Sequence, residues 1–381
     1  MAKKLRIGIL FGGRSAEHEV SLQSARNIIA AADPKKYEII PIEITKEGRW
    51  RAGVRPEFSG GTGSAKGALG EAQEVILSPT PAAASPLVPV DHLHPAREFG
   101  PLDVIFPVLH GTFGEDGTVQ GLLELTGIPY VGAGVLGSAV GMDKEVMKRL
   151  FRERGLPIVP YLAIRRADWE AAPRKVCLAV EKKFRYPVFV KPANLGSSVG
   201  ITKARNRREL QAGLQTAAEY DRKILVERAI AGREIECAVL GNDDPIASVP
   251  GEIRPGHEFY DYADKYLEDS SQLIVPAPLR PAQTKKVQQL AVEAFQAIDC
   301  AGMARVDFFL EKRTGEIYVS EINTIPGFTA ISMYPRMWEA SGLPYPRLID
   351  RLIELALERH REKTRTRYSL QLPGATSKPR K

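Results

Sequence analysis

The chain has 381 residues, more than one ordinary hydrophobic core accommodates and enough for two or three domains of about 100–200 residues each. Hydrophobic residues make up 44% and charged residues 26%, a balance that excludes a collagen, a disulfide mini-protein and a wholly disordered chain. The formal net charge is +7, but Arg359 to Lys381 contains eight Lys/Arg and one Glu, so the rest of the chain sums to zero.

That end, HREKTRTRYSLQLPGATSKPRK, lacks helical periodicity and reads as a basic, disordered tail over residues 359–381. It has no aromatic–basic recognition pattern, so no nucleic-acid partner is expected. No apolar run approaches the roughly 18–20 residues that cross a bilayer, so no membrane partner is expected either. The start, MAKKLRIGILFGG, has too short an apolar stretch for a signal peptide and reads as a buried first strand. Cys177, Cys237 and Cys300 lie far apart and outside any CxxC spacing, against a disulfide framework or zinc ribbon. The chain reads as cytoplasmic.

Residues 5–11 (LRIGILF) predict a strand, Gly12-Gly13 a turn, and the stripe Leu22, Ala25, Ile28, Ile29 and Ala32 a helix. This is the opening of an α/β domain. Residues 37–44 give a second strand. Residues 60–89 are rich in Gly, Ala, Ser and Pro and read as a surface excursion in which only 75–77 resembles a strand. A strand follows at 102–109, then the glycine-punctuated HGTFGEDG, a helix at 119–125 and a short strand with turns at 127–134. The first domain ends near Gly132. A helix at 143–153 opens the second part, with strands at 187–192, 224–227 and 234–240. After an irregular segment, 251–271, come a helix at 282–298, strands at 304–310 and 317–322, and a final helix at 348–359.

Three constellations carry chemistry. In RVDFFL and YVSEIN, a turn centred on Thr314 sets Asp307 opposite Glu321 and Arg305 opposite Asn323, all on one face. Two opposed carboxylates with an amide and a guanidinium form either a salt-bridged surface ladder or an all-oxygen magnesium site that bridges to phosphate. In KPANLGSSVG, a Gly/Ser loop directly after a buried strand is either a flexible turn or a phosphate cradle next to Lys191. In GGRSAEHEVS, Ser15 with Glu17 and Glu19 is either an N-cap with dipole-complementing acids or a carboxylate placed to hold a substrate ammonium. His110 occupies the corresponding strand-end loop.

Together GGRSAEHEVS, LHGTFGEDG, MDK at 142–144, KPANLGSSVG, FYDYADKY at 259–266, ARVDFF and EINTIPGFTAISMYP resemble the D-alanine–D-alanine ligases of the ATP-grasp superfamily. The motifs run in the family's order from residue 12 to about residue 335; FYDYADKY departs from it in having Asp264 where alanine is usual. The resemblance implies a three-domain ATP-grasp architecture of the α/β class. Its parts would be a parallel α/β substrate-binding domain at 1–132 with a variable insertion at 48–100, a central domain at 133–229 and a catalytic domain at 230–358, with ATP held between the last two.

It also implies site residues. Lys144 and Lys191 contact the ATP phosphates, Ser197, Ser198, Val199 and Gly200 cover them, and Glu227 and Glu234 hold the ribose and neighbouring groups. Asp307, Glu321 and Asn323 bind two magnesium or manganese ions. Glu17 holds the first D-alanine's ammonium, with His110 beside the same substrate. Arg305 and the Gly327 N–H stabilise the tetrahedral oxyanion, and Ser332 and Met333 bind the second amino acid. Tyr266, in a network with Ser197 and Glu17, and Lys265 lie on a lid at 251–271. The partners implied are D-alanine, ATP and a second copy of the chain in a homodimer, and the role is peptidoglycan-precursor synthesis.

Overall fold

The computed structural model describes residues 3–54, 56, 72–81, 84–90, 98–196, 199–254 and 271–368. It is a mixed α/β protein with three sheets. In the first, β1 (Leu5–Gly12) lies between β2 (Tyr37–Ile44) and β6 (Val104–Pro107), parallel to both. Val104 to Pro107 are all buried, as are Ile7 to Gly12, which is what a parallel strand covered on both faces requires. The outer strands β3 (Trp50–Ala52), β4 (Gln73–Leu77) and β5 (Leu87–Pro89) add antiparallel edges. The sequence reading recovered only β4 of these three, so part of the excursion belongs to the sheet. Residues 57–71 lie outside the described residues.

Because β1 and β6 are parallel neighbours, their C-terminal ends open on the same side. Gly12 and Gly13 turn the chain there at φ of 89° and 100°. A Cβ on Gly12 would fall 2.3 Å from the Ile44 carbonyl, so only glycine fits. The turn feeds α1 (His18–Ala31); β6 feeds the HGTFGEDG loop and α2 (Thr118–Thr126). The expected helix at 143–153 is observed as α4 (Lys144–Glu153), but α3 (Val135–Met142) precedes it unforeseen.

The second sheet is antiparallel, in the order β7 (Tyr161–Arg165), β10 (Lys223–Arg228), β8 (Val188–Pro192), β9 (Thr202–Ala204). Its core is filled from α5 (Arg166–Ala171), α6 (Pro173–Lys183) and α7 (Arg207–Tyr220). The third sheet runs β14 (Gln272–Ile274), β13 (Gly251–Arg254), β11 (Gly232–Gly241), β15 (Gly302–Glu311), β16 (Ile317–Asn323), with β12 (Ile246–Ala247) on β11. One face packs on α8 (Pro281–Ala297) and on Met147 and Phe151 of α4. The other shares a core with the first sheet through α9 (Met333–Ala340) and α10 (Tyr345–Lys363). The segment expected to be irregular from 251 therefore begins as a sheet strand; the rest of the expected lid, 255–270, lies outside the described residues.

The chain end likewise departs from the expected disordered tail at 359–381. Helix α10 continues four residues past Arg359, which is half-buried: its guanidinium stacks over the Tyr130 ring at 4.4 Å and donates to the carbonyls of Tyr130 and Gly132. Lys363 pairs with Glu124. These charged side chains dock a helix end rather than begin a solvated tail; residues 369–381 lie outside the described residues. Cys177, Cys237 and Cys300 are buried free thiols. Among the described residues no helix is long and apolar enough to cross a membrane.

Candidate active site

The hairpin β15–β16 builds one wall. Asp307 faces Glu321 and Arg305 faces Asn323, as expected. The turn is not where it was placed: Glu311 bonds Glu316, and up to Phe308–Val319 the strands run one residue out of the expected register. A bulge at Ser320 restores it. The bulge lies on the turn side of the site, so the four polar residues share a face while Val306, Phe308 and Ile322 are buried behind them. On the other side of β15, Glu236 of β11 stands opposite Asp307.

Arg305 closes this row. It grips Asp307 through two hydrogen bonds of 2.7 Å, and its Nε lies 3.2 Å from Glu236. Burial opposes its charge, but Asp307 and Glu236 more than offset that and raise its pKa. Asn323 donates to Asp307 at 3.0 Å, and Lys144 Nζ lies 3.5 Å from Glu321. Asp307, Glu321 and Asn323 offer hard oxygen donors, the chemistry of a magnesium-type ion. No group of three His, Cys, Asp or Glu suited to a metal occurs among the described residues. Asp307, Glu321 and Asn323 could hold such an ion only together with further oxygen ligands.

A cleft of about 790 Å³ opens between the second and third sheets. Lys191, Glu227, Glu234, Arg305, Asp307 and Glu321 all line it. Lys191 Nζ lies 2.6 Å from Glu227, so these two expected site residues meet directly. Lys144 begins α4, where Asp143 caps the helix by accepting from the Glu145 and Val146 N–H groups at 3.1 Å. Its ammonium donates to the Leu195 carbonyl at 2.7 Å, tying the helix to the loop after β8. In that loop Val199 donates to Gly196, and Gly200 turns at φ 72°. Ser197 and Ser198 lie outside the described residues, as do Lys265 and Tyr266.

A second cavity, of about 110 Å³, adjoins the cleft; Glu236, Arg305 and Glu321 line both. Glu17, His110, Gly327, Ser332 and Met333 surround it. His110 is buried, with Nδ1 3.0 Å from the Ile325 carbonyl and Nε2 3.3 Å from Ser24 Oγ, so both ring nitrogens are engaged by protein. The loop after β8 reaches this cavity too: a Cβ on Gly196 would lie 2.9 Å from Glu17 Oε2. Ser15 is not the N-cap of α1, which begins at His18 behind Glu17; its hydroxyl instead donates to the His110 carbonyl and accepts from the Glu17 N–H. Ser332 Oγ accepts from the Thr329 N–H at 2.9 Å and lies 2.8 Å from Thr329 Oγ1.

The sequence reading missed three charged residues here. Glu115 accepts from the Gly111 and Ile325 N–H groups, at 2.8 and 3.0 Å, between the two cavity loops. Burial, and then the charge of Glu17, push its carboxyl up to about 8. Glu236 was legible, since the alternation in EIE sets it on the face of Glu234. Lys148 follows Lys144 by one turn of the same helix, but that spacing does not tell a buried lysine from a solvated one. Nothing in HGTFGEDG distinguishes a half-buried Glu115 from a solvated one.

Two family models match the chain, one described as the D-ala D-ala ligase N-terminus over residues 6–133 and one as the D-ala D-ala ligase C-terminus over residues 150–354. A D-alanine–D-alanine ligase of Solibacter usitatus is 52% identical over 366 residues, covering 96% of this chain and 99% of that one. One from Natranaerobius thermophilus is 50% identical over 363 residues, covering 95% and 98%. The solved D-alanine–D-alanine ligase of Coxiella burnetii superposes with a TM-score of 0.83 at 42% identity, over 96% of this chain and 97% of that one. The VanG D-Ala:D-Ser ligase from Enterococcus faecalis gives 0.79 at 37% identity, over 93% and 100%. With its hairpin, cleft and adjoining cavity arranged on this ATP-grasp fold, the chain belongs to the D-alanine–D-alanine ligase family.

Proposed function

We propose that this protein joins two D-alanine molecules at the expense of ATP, giving D-alanyl-D-alanine, ADP and phosphate for peptidoglycan-precursor synthesis. The observation that carries the reading is the position of Arg305, Asp307, Glu321 and Asn323. They lie on one hairpin face, at the junction of a nucleotide-sized cleft and a cavity suited to something as small as an amino acid.

In this reading ATP occupies the cleft between residues 133–229 and 230–358, with Lys144, Lys191 and the loop through Val199 and Gly200 on its phosphates. Glu227 and Glu234 face the ribose and its neighbourhood. Asp307, Glu321 and Asn323 hold two magnesium or manganese ions, which when bound offset the charge of the transferring phosphoryl group. The first D-alanine sits with its ammonium at Glu17, beside His110, and its carboxylate oxygen attacks the γ-phosphorus as ADP leaves. The neutral amine of the second D-alanine, held near Ser332 and Met333, attacks the acyl carbon. Arg305 and the Gly327 N–H take the developing oxyanion, phosphate departs and the amine gives up its proton. Lys265 and Tyr266, outside the described residues, would help to keep water from the acyl phosphate. A cytoplasmic homodimer completes the reading.

The retention of all four hairpin residues on one face argues against an inactive nucleotide-binding module. Phosphate release from ATP with magnesium tests the reading, measured without an amino acid and with D-alanine, D-serine or D-lactate. Release dependent on D-alanine, with the dipeptide as main product, is expected. Release that D-alanine does not stimulate overturns the ligase, and preferential use of D-serine or D-lactate reassigns the acceptor.

A further inference from the structure

Lys148 lies one turn beyond Lys144 on α4 and is wholly buried. Its ammonium donates to the Ser320 carbonyl at 2.9 Å and lies 3.0 Å from Glu227 Oε1. Glu227 Oε2 is 2.6 Å from Lys191 Nζ. Two ammonium groups therefore flank one carboxylate, with side-chain exposures of only 0%, 9% and 3% for Lys148, Lys191 and Glu227. Burial pushes the Glu227 carboxyl up, but the two lysines more than offset it and hold its pKa below the ordinary value.

Glu321 also acts on both lysines and Glu234 on Lys191, but among the described residues Glu227 is the one carboxylate within ion-pair distance of both. A buried charge is costly unless it is paired and hydrogen-bonded, and the Lys148 ammonium is both. Access separates the two lysines. Lys191 lines the large cleft, while Lys148 sits behind it, fixed to the carbonyl of the bulged Ser320. An anion arriving in the cleft can draw Lys191 away from Glu227. Were Lys191 the sole partner, that move would strand a buried carboxylate.

We propose that Lys148 is the resident counter-ion of Glu227, a positioning residue that lets Lys191 turn to the phosphates of a bound nucleotide. The inference rests on the reading of the cleft as the ATP site. Lys148 touches no substrate and acts through Glu227 on Lys191. Its contribution accordingly scales with the phosphates of the ligand and not with the nucleoside.

The test is calorimetric titration of the full chain with adenosine and with ADP plus magnesium. A charge-assisted contact contributes about 1.5–3 kcal/mol, so Lys148→Met is expected to weaken ADP by roughly ten- to hundredfold while leaving adenosine unchanged. Adding Glu227→Gln to Lys148→Met removes the carboxylate that holds Lys191 and restores the ratio of ADP to adenosine affinity, whatever it does to the nucleoside itself. Equal losses for both ligands, or an unchanged ratio in Lys148→Met, overturns the proposal. If Lys148→Met does not fold, Glu227→Gln is compared with Glu227→Gln/Lys148→Met. Equal ratios are then expected, and a lower ratio in the double variant overturns the inference. Wild-type protein that binds ADP no better than adenosine sinks the nucleotide reading itself, a result distinct from all of these.

Discussion

Asp307 and Glu321 stand level on adjacent antiparallel strands, and the bulge at Ser320 is what brings them level. Carboxylates opposed at the usual cross-strand spacing of about 5 Å repel; here Arg305 and Lys144 supply the opposing charge. Glu321→Gln keeps the shape and removes one charge that a bridging cation needs. Metal ions contribute several kcal/mol to phosphoryl transfer, so ligation should fall by at least about a thousandfold with the melting temperature little changed. Ligation near the wild-type rate in saturating magnesium would exclude the hairpin as the metal site.

Glu115 makes stability depend on pH. Its carboxyl is raised from 4.5 to about 8 by burial and then by Glu17, against the lowering effect of the Gly111 and Ile325 N–H groups. The folded state thus binds this proton more tightly than the unfolded chain. The contribution is full below about pH 4.5 and is lost as pH rises through about 8. Glu115→Gln cannot titrate, though its amide turns N–H groups towards a backbone donor and lowers stability at every pH. The readout is therefore slope: from pH 6 to 9 the Tm of the unliganded wild type should fall further than that of Glu115→Gln. Parallel curves would show that Glu115 titrates elsewhere.

At the other end of the chain, Arg359 bonds two carbonyls of the segment that leads from the first sheet into α3, while its guanidinium covers Tyr130. Arg359→Ala leaves these acceptors without their donor, at a cost of about 2–3 kcal/mol. A urea midpoint that falls without a change in slope would register this. Truncation after residue 368 leaves every described contact of α10 in place and should change kcat/KM less than tenfold, about 1.4 kcal/mol. A larger loss would mean that the removed residues reach the site.

What could be read from sequence divides by distance along the chain. Asp307 and Glu321 were legible because a short hairpin and a period of two relate them, and the register survived only because the bulge cancelled the error at the turn. The Gly12-Gly13 turn was legible because a buried strand ends in glycine, and the Lys191 loop because a Gly/Ser run closely follows one. The approach of Gly196 to Glu17 was not, since no local periodicity relates residues so far apart. Burial of charge was the other blind spot. Lys148, Glu115 and Arg359 have the residue types of a solvated surface, and only the packing of α4, the two cavity loops and α10 takes them inside. The helices beside the second sheet carry no motif, although in α7 Leu210, Leu214 and Ala217 keep a legible helical stripe.

Gly327 offers the sharpest steric test of the small cavity. A Cβ there would fall 2.7 Å from Ser332 Oγ but 3.6 Å from Ser332 Cβ. The first separation requires the hydroxyl to move; the second is ordinary contact. Ser332 Oγ also accepts from the Thr329 N–H, so moving it disturbs the loop that leads into α9. Gly327→Ala should therefore raise KM for the second D-alanine by roughly tenfold or more, the loss of about one hydrogen bond to a charged group, while KM for ATP stays near wild type. Ser332→Ala should do the same by removing the hydroxyl itself. The informative variant is the pair: with the hydroxyl gone the new methyl has room, so Gly327→Ala should add almost nothing in the Ser332→Ala background. Such non-additivity is what two substitutions acting on one atom produce. If instead the two losses multiplied, Gly327 would act on the substrate through its own backbone N–H, independently of Ser332.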